Sequence, residues 1–121
     1  MISSRCFFAL VPFLVWGCGA RPVAAPVNPD VARATLITTL DAWKAGRPIE
    51  TLAADKPPVV AQDFDWMAGA KLDAYEVLDQ GTAQDANLKV AVRLSLHGKG
   101  SKTVNYIVGT DIKLTVFRSL E

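Results

Sequence analysis

The spacing of apolar residues changes at Gly69, and this change constrains the fold more than any other feature of the chain. Between residues 32 and 43, apolar side chains recur every three or four positions, which is the period of one helix face. Between residues 88 and 96, every second residue is a large aliphatic one, which is the period of a strand with one buried face. The sequence therefore predicts a helix followed by strands in an α+β domain.

Local signals place both ends of the helix. Asn28 can accept a hydrogen bond from a free backbone N–H group, Pro29 suits the first turn, and Asp30 lies at the positive end of the helix dipole. Gly46 is suited to end the helix because glycine adopts a left-handed conformation easily. We therefore expect an amphipathic helix from Pro29 to Ala45. Its apolar face should contain Leu36, Ile37, Leu40 and Trp43.

Four strands are predicted after the helix, at residues 71–78, 88–96, 103–108 and 112–117. Their short connections favour antiparallel neighbours. The glycine-containing segment 98–101 is predicted to be a hairpin turn and not a phosphate-binding loop, because no helix follows it. As the last strand of the meander, Ile112 to Phe117 would lie at a sheet edge, where its unpaired backbone groups could bind a partner strand.

The helix is expected to cover the apolar face of a curved four-stranded antiparallel β-meander. The helix is about 25 Å long at 1.5 Å per residue, whereas the strand that ends at His97 is about 33 Å long, so the sheet must curl. This element order resembles the cystatin-like and NTF2-like α+β folds, and also small exported proteins of planctomycete-type bacteria. The resemblance covers residues 29–118, and its most specific part is the segment from Gln62 to Glu76, to which we attach no chemistry.

Residues 55–70 are predicted to be a long connection between the helix and the first strand. This connection carries three large apolar side chains: Phe64, Trp66 and Met67. Large apolar side chains in loops most often cover the edge of a core, so we expect this group to form a lid on the core. The alternative is that they form the lip of a binding site.

The first residues have the features of an export signal. Arg5 precedes an apolar run that is shorter than the roughly 20 residues needed to span a bilayer, so residues 1–17 are predicted to be a signal peptide. The segment Val15-Trp16-Gly17-Cys18 resembles a bacterial lipobox, in which the cysteine is diacylated and becomes the new N-terminus. We therefore expect Cys18 to be lipidated and to anchor the protein to membrane lipid at the cell envelope.

Two other outcomes are open for this region. Cleavage after Ala20 or Ala25 would give a secreted or periplasmic protein, and a retained signal would give an N-terminal anchor. Residues 18–28 are rich in proline and small residues, which predicts a short extended tether. Residues 29–121 are then expected to form a single domain, since their length suffices for one modest core.

Composition excludes several kinds of protein. Both cysteines, Cys6 and Cys18, precede the domain, so disulfides cannot stabilise it. The 13 basic and 12 acidic residues give a net charge of +1, and the basic residues are scattered without a cluster that could bind nucleic acid. A zinc site needs three or four nitrogen or sulfur ligands, and His97, at the exposed end of a strand, is the only histidine. No metal or cofactor is therefore expected.

Nucleophilic catalysis is also disfavoured, because none of Ser95, Ser101 and Ser119 lies in a glycine-flanked elbow. The NTF2-like resemblance implies an acid and a tyrosine inside the cone of the sheet, and four residues qualify as candidates: Asp63, Asp65, Tyr75 and Tyr106. The ordinary interpretation of a strand tyrosine is a half-buried ring with its hydroxyl at the rim. The inhibitory Gln-x-Val-x-Gly hairpin motif of the cystatin family is absent.

These observations favour a non-catalytic binding or interaction module, tethered to the envelope, with a protein partner at a sheet edge. The alternative is a small-molecule-binding or enzyme-like cone of the NTF2 type. The two differ in the space between helix and sheet. A cone needs an open cavity of a few hundred Å³, whereas a binding module can fill that space with its own core.

Overall fold

The computed structural model describes residues 26–120. The predicted signal peptide, the lipidation site at Cys18 and most of the predicted tether therefore lie outside the described residues and stay predictions.

The predicted helix is present as α1, which spans Pro29–Lys44. The Oδ1 atom of Asn28 accepts a hydrogen bond from the backbone N–H of Val31 at 3.1 Å, so Asn28 is the N-cap. Gly46 adopts a left-handed conformation with φ of 87°, and its N–H and that of Arg47 bond back to carbonyls of the last turn. Within residues 26–120, no helix combines the length and apolar character that crossing a membrane requires.

The predicted connection at residues 55–70 contains two elements that the sequence did not predict. After a 3₁₀ helix at Ile49–Ala54, the chain forms strand β1 at Val59–Gln62 and the one-turn helix α2 at Phe64–Met67. β1 is only four residues long and follows two prolines, so its alternation is too short to give a periodic signal.

Five further strands follow α2: β2 at Leu72–Val77, β3 at Thr82–Gln84, β4 at Asn87–Leu96, β5 at Gly100–Gly109 and β6 at Leu114–Arg118. The strand order is β1-β6-β5-β4-β2, and β3 also pairs with β4. β1 is parallel to β6, whereas the other pairs are antiparallel. The sheet curls into a half-barrel against α1, which confirms the α+β class and the curvature.

The detail of a four-stranded antiparallel meander is wrong, because the sheet has six strands and is mixed. The predicted edge is also wrong. β6, which the sequence placed last in the meander at residues 112–117, lies between β5 and β1. Val60 of β1 pairs with Thr115 of β6, so both sides of that strand are occupied. A parallel partner from a distant part of the chain leaves no local trace in the sequence of β6.

The core lies between α1 and the inner face of the sheet. Leu36, Leu40 and Trp43 are buried there, as predicted, with exposures of 1%, 0% and 2%. Ile37 was expected in the same face but is 39% exposed. One residue advances the helix by about 100°, so a position next to Leu36 turns toward solvent.

The space between α1 and the sheet is filled at its centre, and an open groove of about 310 Å³ lies at its edge, between α1 and residues of β1 and β6. The void bordered by Thr39, Leu40, Tyr106 and Val116 has essentially no volume that a water molecule could enter (about 0 Å³). The inward side chains of β4 are aliphatic and almost fully buried: Leu88, Val90, Val92, Leu94 and Leu96. The described domain therefore uses its interior for packing.

The difference in burial between Leu40 and Ile37 on α1 can be tested by substitution. We expect Leu40→Ala to lower the free energy of unfolding by about 2 to 5 kcal/mol, because it leaves a cavity in the core. Ile37→Ala, the matched control, should change it by about 0.5 kcal/mol or less, as surface substitutions do. Urea unfolding, monitored by circular dichroism, measures the free energy of unfolding of both variants. Equal losses for the two variants would contradict the orientation of α1.

Candidate functional site

Two groups of side chains contain most of the residues that the sequence singled out. The first, here the Asp63 cluster, consists of Asp63, Asp65, Lys102, Tyr106 and Arg118. Asp63 is 3% exposed and caps α2, with its Oδ1 accepting from the N–H groups of Asp65 at 2.9 Å and Trp66 at 3.2 Å. The same oxygen accepts from Nη1 of Arg118 at 2.9 Å, and Oδ2 accepts from the Tyr106 hydroxyl. Four donors therefore satisfy one buried carboxylate.

Arg118 connects the two carboxylates of the cluster. Its side chain is 6% exposed, and its Nη2 donates to Oδ2 of Asp65 at 2.7 Å. Lys102 donates to that same oxygen at 2.9 Å, and the Arg118 guanidinium lies 5.6 Å from the centroid of the Phe64 ring. Lys102 is on β5 and Arg118 is on β6, so the cluster fastens α2 to the sheet.

The charges in the cluster shift each other's pKa values. Burial and the negative charge of Asp63 raise the pKa of Tyr106 far above its ordinary value of 10.0. Burial alone would raise the pKa of Asp65, but hydrogen bonds from Arg118 and Lys102 outweigh it and hold that pKa below 3.8. Tyr106 is therefore neutral and Asp65 ionised at neutral pH.

Tyr75 lies apart from the other three candidates. Its hydroxyl donates to Oδ1 of Asp41 on α1 at 2.7 Å, which joins β2 to the helix. Burial, followed by the hydrogen bond to the Asp41 carboxylate, raises the pKa of Tyr75 to about 12. Asp63, Asp65 and Tyr106 do come together, but in a packed region with no room for a substrate.

The second group borders a surface cleft of about 490 Å³ beside the C-terminal end of α1. We call it the tryptophan cleft and define it by six of its residues: Trp43, Lys44, Trp66, Lys71, Asp73 and His97. They come from the end of α1, from α2, from the segment before β2, from β2 itself and from the end of β4.

The two tryptophans form the floor of the cleft. Their rings stack with centroids 5.3 Å apart and planes 4° apart. Nε1 of Trp43 donates to the carbonyl of Ala70 at 2.8 Å, and Nε1 of Trp66 donates to the carbonyl of Arg47 at 3.0 Å. Both ring orientations are therefore fixed by packing and by hydrogen bonds.

The expected lid at 55–70 is formed by Trp66 alone. Trp66 is 8% exposed and packs in the core, whereas Phe64 is 52% and Met67 is 63% exposed. Trp66 also borders the tryptophan cleft, so it serves both in the core and at the lip of a surface depression. The sequence offered these two roles as alternatives for the whole group.

Charged side chains form the rim of the cleft. His97 is exposed, as predicted, and its Nδ1 lies 3.3 Å from Oδ2 of Asp73. The hydroxyl of Ser95 faces that of Ser101 at 3.3 Å, so these serines contact each other. Within residues 26–120, no group of three or more histidine, cysteine and acidic side chains is placed to hold a metal ion.

Sequence reasoning missed the cleft. Trp43 was assigned to the core, and Trp66 was expected in a lid on the core, with the lip of a binding site as the alternative. The pairing of two tryptophans 23 positions apart depends on α2, whose presence the sequence did not predict. A tryptophan next to a lysine at the end of a helix was the one available signal.

No protein-family model, curated protein or solved structure matches this chain. The resemblance to the cystatin-like and NTF2-like folds therefore stays a prediction.

The chain has only two tyrosines, and both have raised pKa values, so ionisation of the phenols is directly measurable. Folded protein should show little phenolate absorbance at pH values where free tyrosine ionises. Because the folded state holds these protons more tightly, the stability that they contribute is present below pH 10.0 and is lost as pH rises above it. In denaturant both phenols should titrate near the ordinary value. Phenolate absorbance that rises near pH 10 while the protein is folded would contradict the two hydrogen-bonded environments.

Proposed function

We propose that this protein is a non-catalytic binding module, held at the cell envelope by an acylated Cys18, and that it recognises its ligand or partner through the tryptophan cleft. The observation that carries this proposal is the filled space between α1 and the sheet. A cone that binds a small molecule needs a few hundred Å³ of interior volume. The interior void here admits no water molecule, whereas the cleft at the surface has about 490 Å³.

The state of the acidic groups supports a non-catalytic role. A general base needs a carboxylate or an imidazole within reach of a substrate proton. The Asp63 carboxylate is buried and already accepts from four donors, and Asp65 is engaged by Arg118 and Lys102. His97 faces Asp73 in an exposed position, and the hydroxyl of Ser95 contacts that of Ser101.

A sheet edge is the second candidate surface for a partner, and it has weaker support than the cleft. With β6 in the interior, the edge strands are β1, β2 and the three-residue β3, which pairs only with β4. β1 packs against the 3₁₀ helix, and β2 has an irregular register between Leu72 and Ala74 with the charged Asp73 between them. Irregular register and charges are features that protect sheet edges from pairing with other strands.

The position of the cleft supports a role in recognition at a membrane. The predicted tether at residues 18–28 enters the domain at the start of α1, where the N–H of Asn28 donates to Oγ1 of Thr110 at 3.2 Å. The cleft lies at the other end of α1, about 24 Å away for a helix of 16 residues. An acyl anchor at Cys18 therefore leaves the cleft at the end of the domain opposite to its attachment point.

The test is rescue of a deletion strain by three variants of the full-length protein. His97→Trp places a bulky side chain at the rim of the cleft, and Thr103→Trp places the same side chain on the outer face of the sheet as a matched control. We expect the first to stay at the membrane without rescuing and the second to rescue fully. Cys18→Ser should leave the membrane fraction. Full rescue by His97→Trp would show that the cleft is not the recognition surface.

A further inference from the structure

The tryptophan cleft has an excess of positive charge. Five of the residues that border it can carry charge: Lys44, Arg47, Lys71, Asp73 and His97. Arg47 is neutralised by Asp55, to which its Nη1 and Nη2 donate at 3.1 and 2.9 Å. Asp73 faces His97. Two lysines and one carboxylate that faces a histidine remain, so the border of the cleft has a net positive charge.

Lys44 and Lys71 are both exposed, and in the described part of the chain neither ammonium group makes an ion pair or a hydrogen bond. Lys44 ends α1, and Lys71 immediately precedes β2, so the two ammonium groups approach the cleft from different elements. A cleft with a net positive charge attracts anions.

We propose that the tryptophan cleft binds an organic carboxylate, whose charged group contacts Lys44 and Lys71 and whose apolar body lies over the floor. This inference rests on the proposed function, since it names the ligand chemistry of the same surface. Ammonium groups make charge-assisted hydrogen bonds to carboxylate oxygens, and both lysines border the same cleft.

The donors at the cleft favour a carboxylate over a phosphate. Phosphate sites usually offer a free arginine fork or several free backbone N–H groups. Here Arg47 is occupied by Asp55. The N–H groups of Gly46, Gly69 and Ala70 already donate to carbonyls of α1 and α2 at 2.9, 3.0 and 2.9 Å. The two lysine ammonium groups are therefore the main free donors, and they suit a small anionic group.

The size of the cleft indicates more than a bare carboxylate. Its volume of about 490 Å³ lies in the range of sites for small organic molecules. Pro48, Ala70 and the narrow exposed edges of the two indoles, with Trp66 8% and Trp43 2% exposed, supply an apolar surface beside the lysines. A ligand with an apolar body and one carboxylate would use both parts.

The experiment compares two probes that differ only in charge, N-acetylphenylalanine and its amide, titrated into the full-length protein in a zwitterionic detergent. The indole N–H signals of Trp43 and Trp66 in nuclear magnetic resonance spectra report on the floor of the cleft. We expect the acid to shift these signals saturably and the amide to bind about tenfold more weakly, the factor that corresponds to about 1.4 kcal/mol.

The charge variants test the assigned contacts. Lys44→Gln with Lys71→Gln should reduce affinity for the acid to that for the amide, whereas Lys113→Gln, an exposed lysine before β6, should leave it unchanged. Binding of N-acetyl-alanyl-alanyl-phenylalanine distinguishes the two possible sources of the carboxylate, a peptide and a free acid. Tighter binding than N-acetylphenylalanine indicates the C-terminus of a peptide, and equal or weaker binding indicates a free acid.

Equal affinity for acid and amide, or the absence of any shift at the two indoles, would overturn the inference. If His97→Trp still failed to rescue the deletion strain in that case, the proposed binding module would stand and only its ligand chemistry would be wrong. If His97→Trp rescued as well, the proposed function itself would fail.

Discussion

The buried carboxylate of Asp63 is the constraint on which the rest of the structure depends. An ionised group with 3% exposure is tolerated only when its charge and its lone pairs are satisfied. Asp63 meets this requirement with two N–H groups of α2, the guanidinium of Arg118 and the hydroxyl of Tyr106. The same contacts fix α2, and α2 carries Trp66. The floor of the tryptophan cleft is thus held in place by a charge pair inside the domain.

The interior and the surface of the domain consequently have different roles. Aliphatic side chains from α1 and β4 fill the space that an NTF2-like cone would keep open. Polar groups lie around this core and join its parts, as Tyr75 does when it donates to Asp41. A domain with such an interior offers a ligand only its outer surface. The tryptophan cleft, a depression of about 490 Å³ on that surface, lies at the end of α1 far from the predicted tether.

The sequence predicted those parts of the fold that local signals determine. Asn28 and Gly46 mark the ends of α1, and the alternation at residues 88–96 predicts β4 because each depends on neighbouring residues alone. β1 was missed since it is short and pairs with a distant strand, and that omission misplaced the sheet edge. In the Asp63 cluster, Asp63, Asp65 and Tyr106 were named as candidates. Their buried partner Arg118 was not, because a lone arginine in a strand has no spacing that marks it.

The most direct test of this account is the stability of Asp63→Asn, measured by urea unfolding together with near-ultraviolet circular dichroism of the tryptophans. Asparagine can still cap α2 but cannot neutralise Arg118, so we expect a loss of about 3 to 5 kcal/mol and a weaker tryptophan signal. Glu76→Gln, which breaks the exposed pair with Arg93, should cost about 1 kcal/mol or less and leave that signal unchanged. An Asp63→Asn protein with the stability and tryptophan signal of the control would contradict the account.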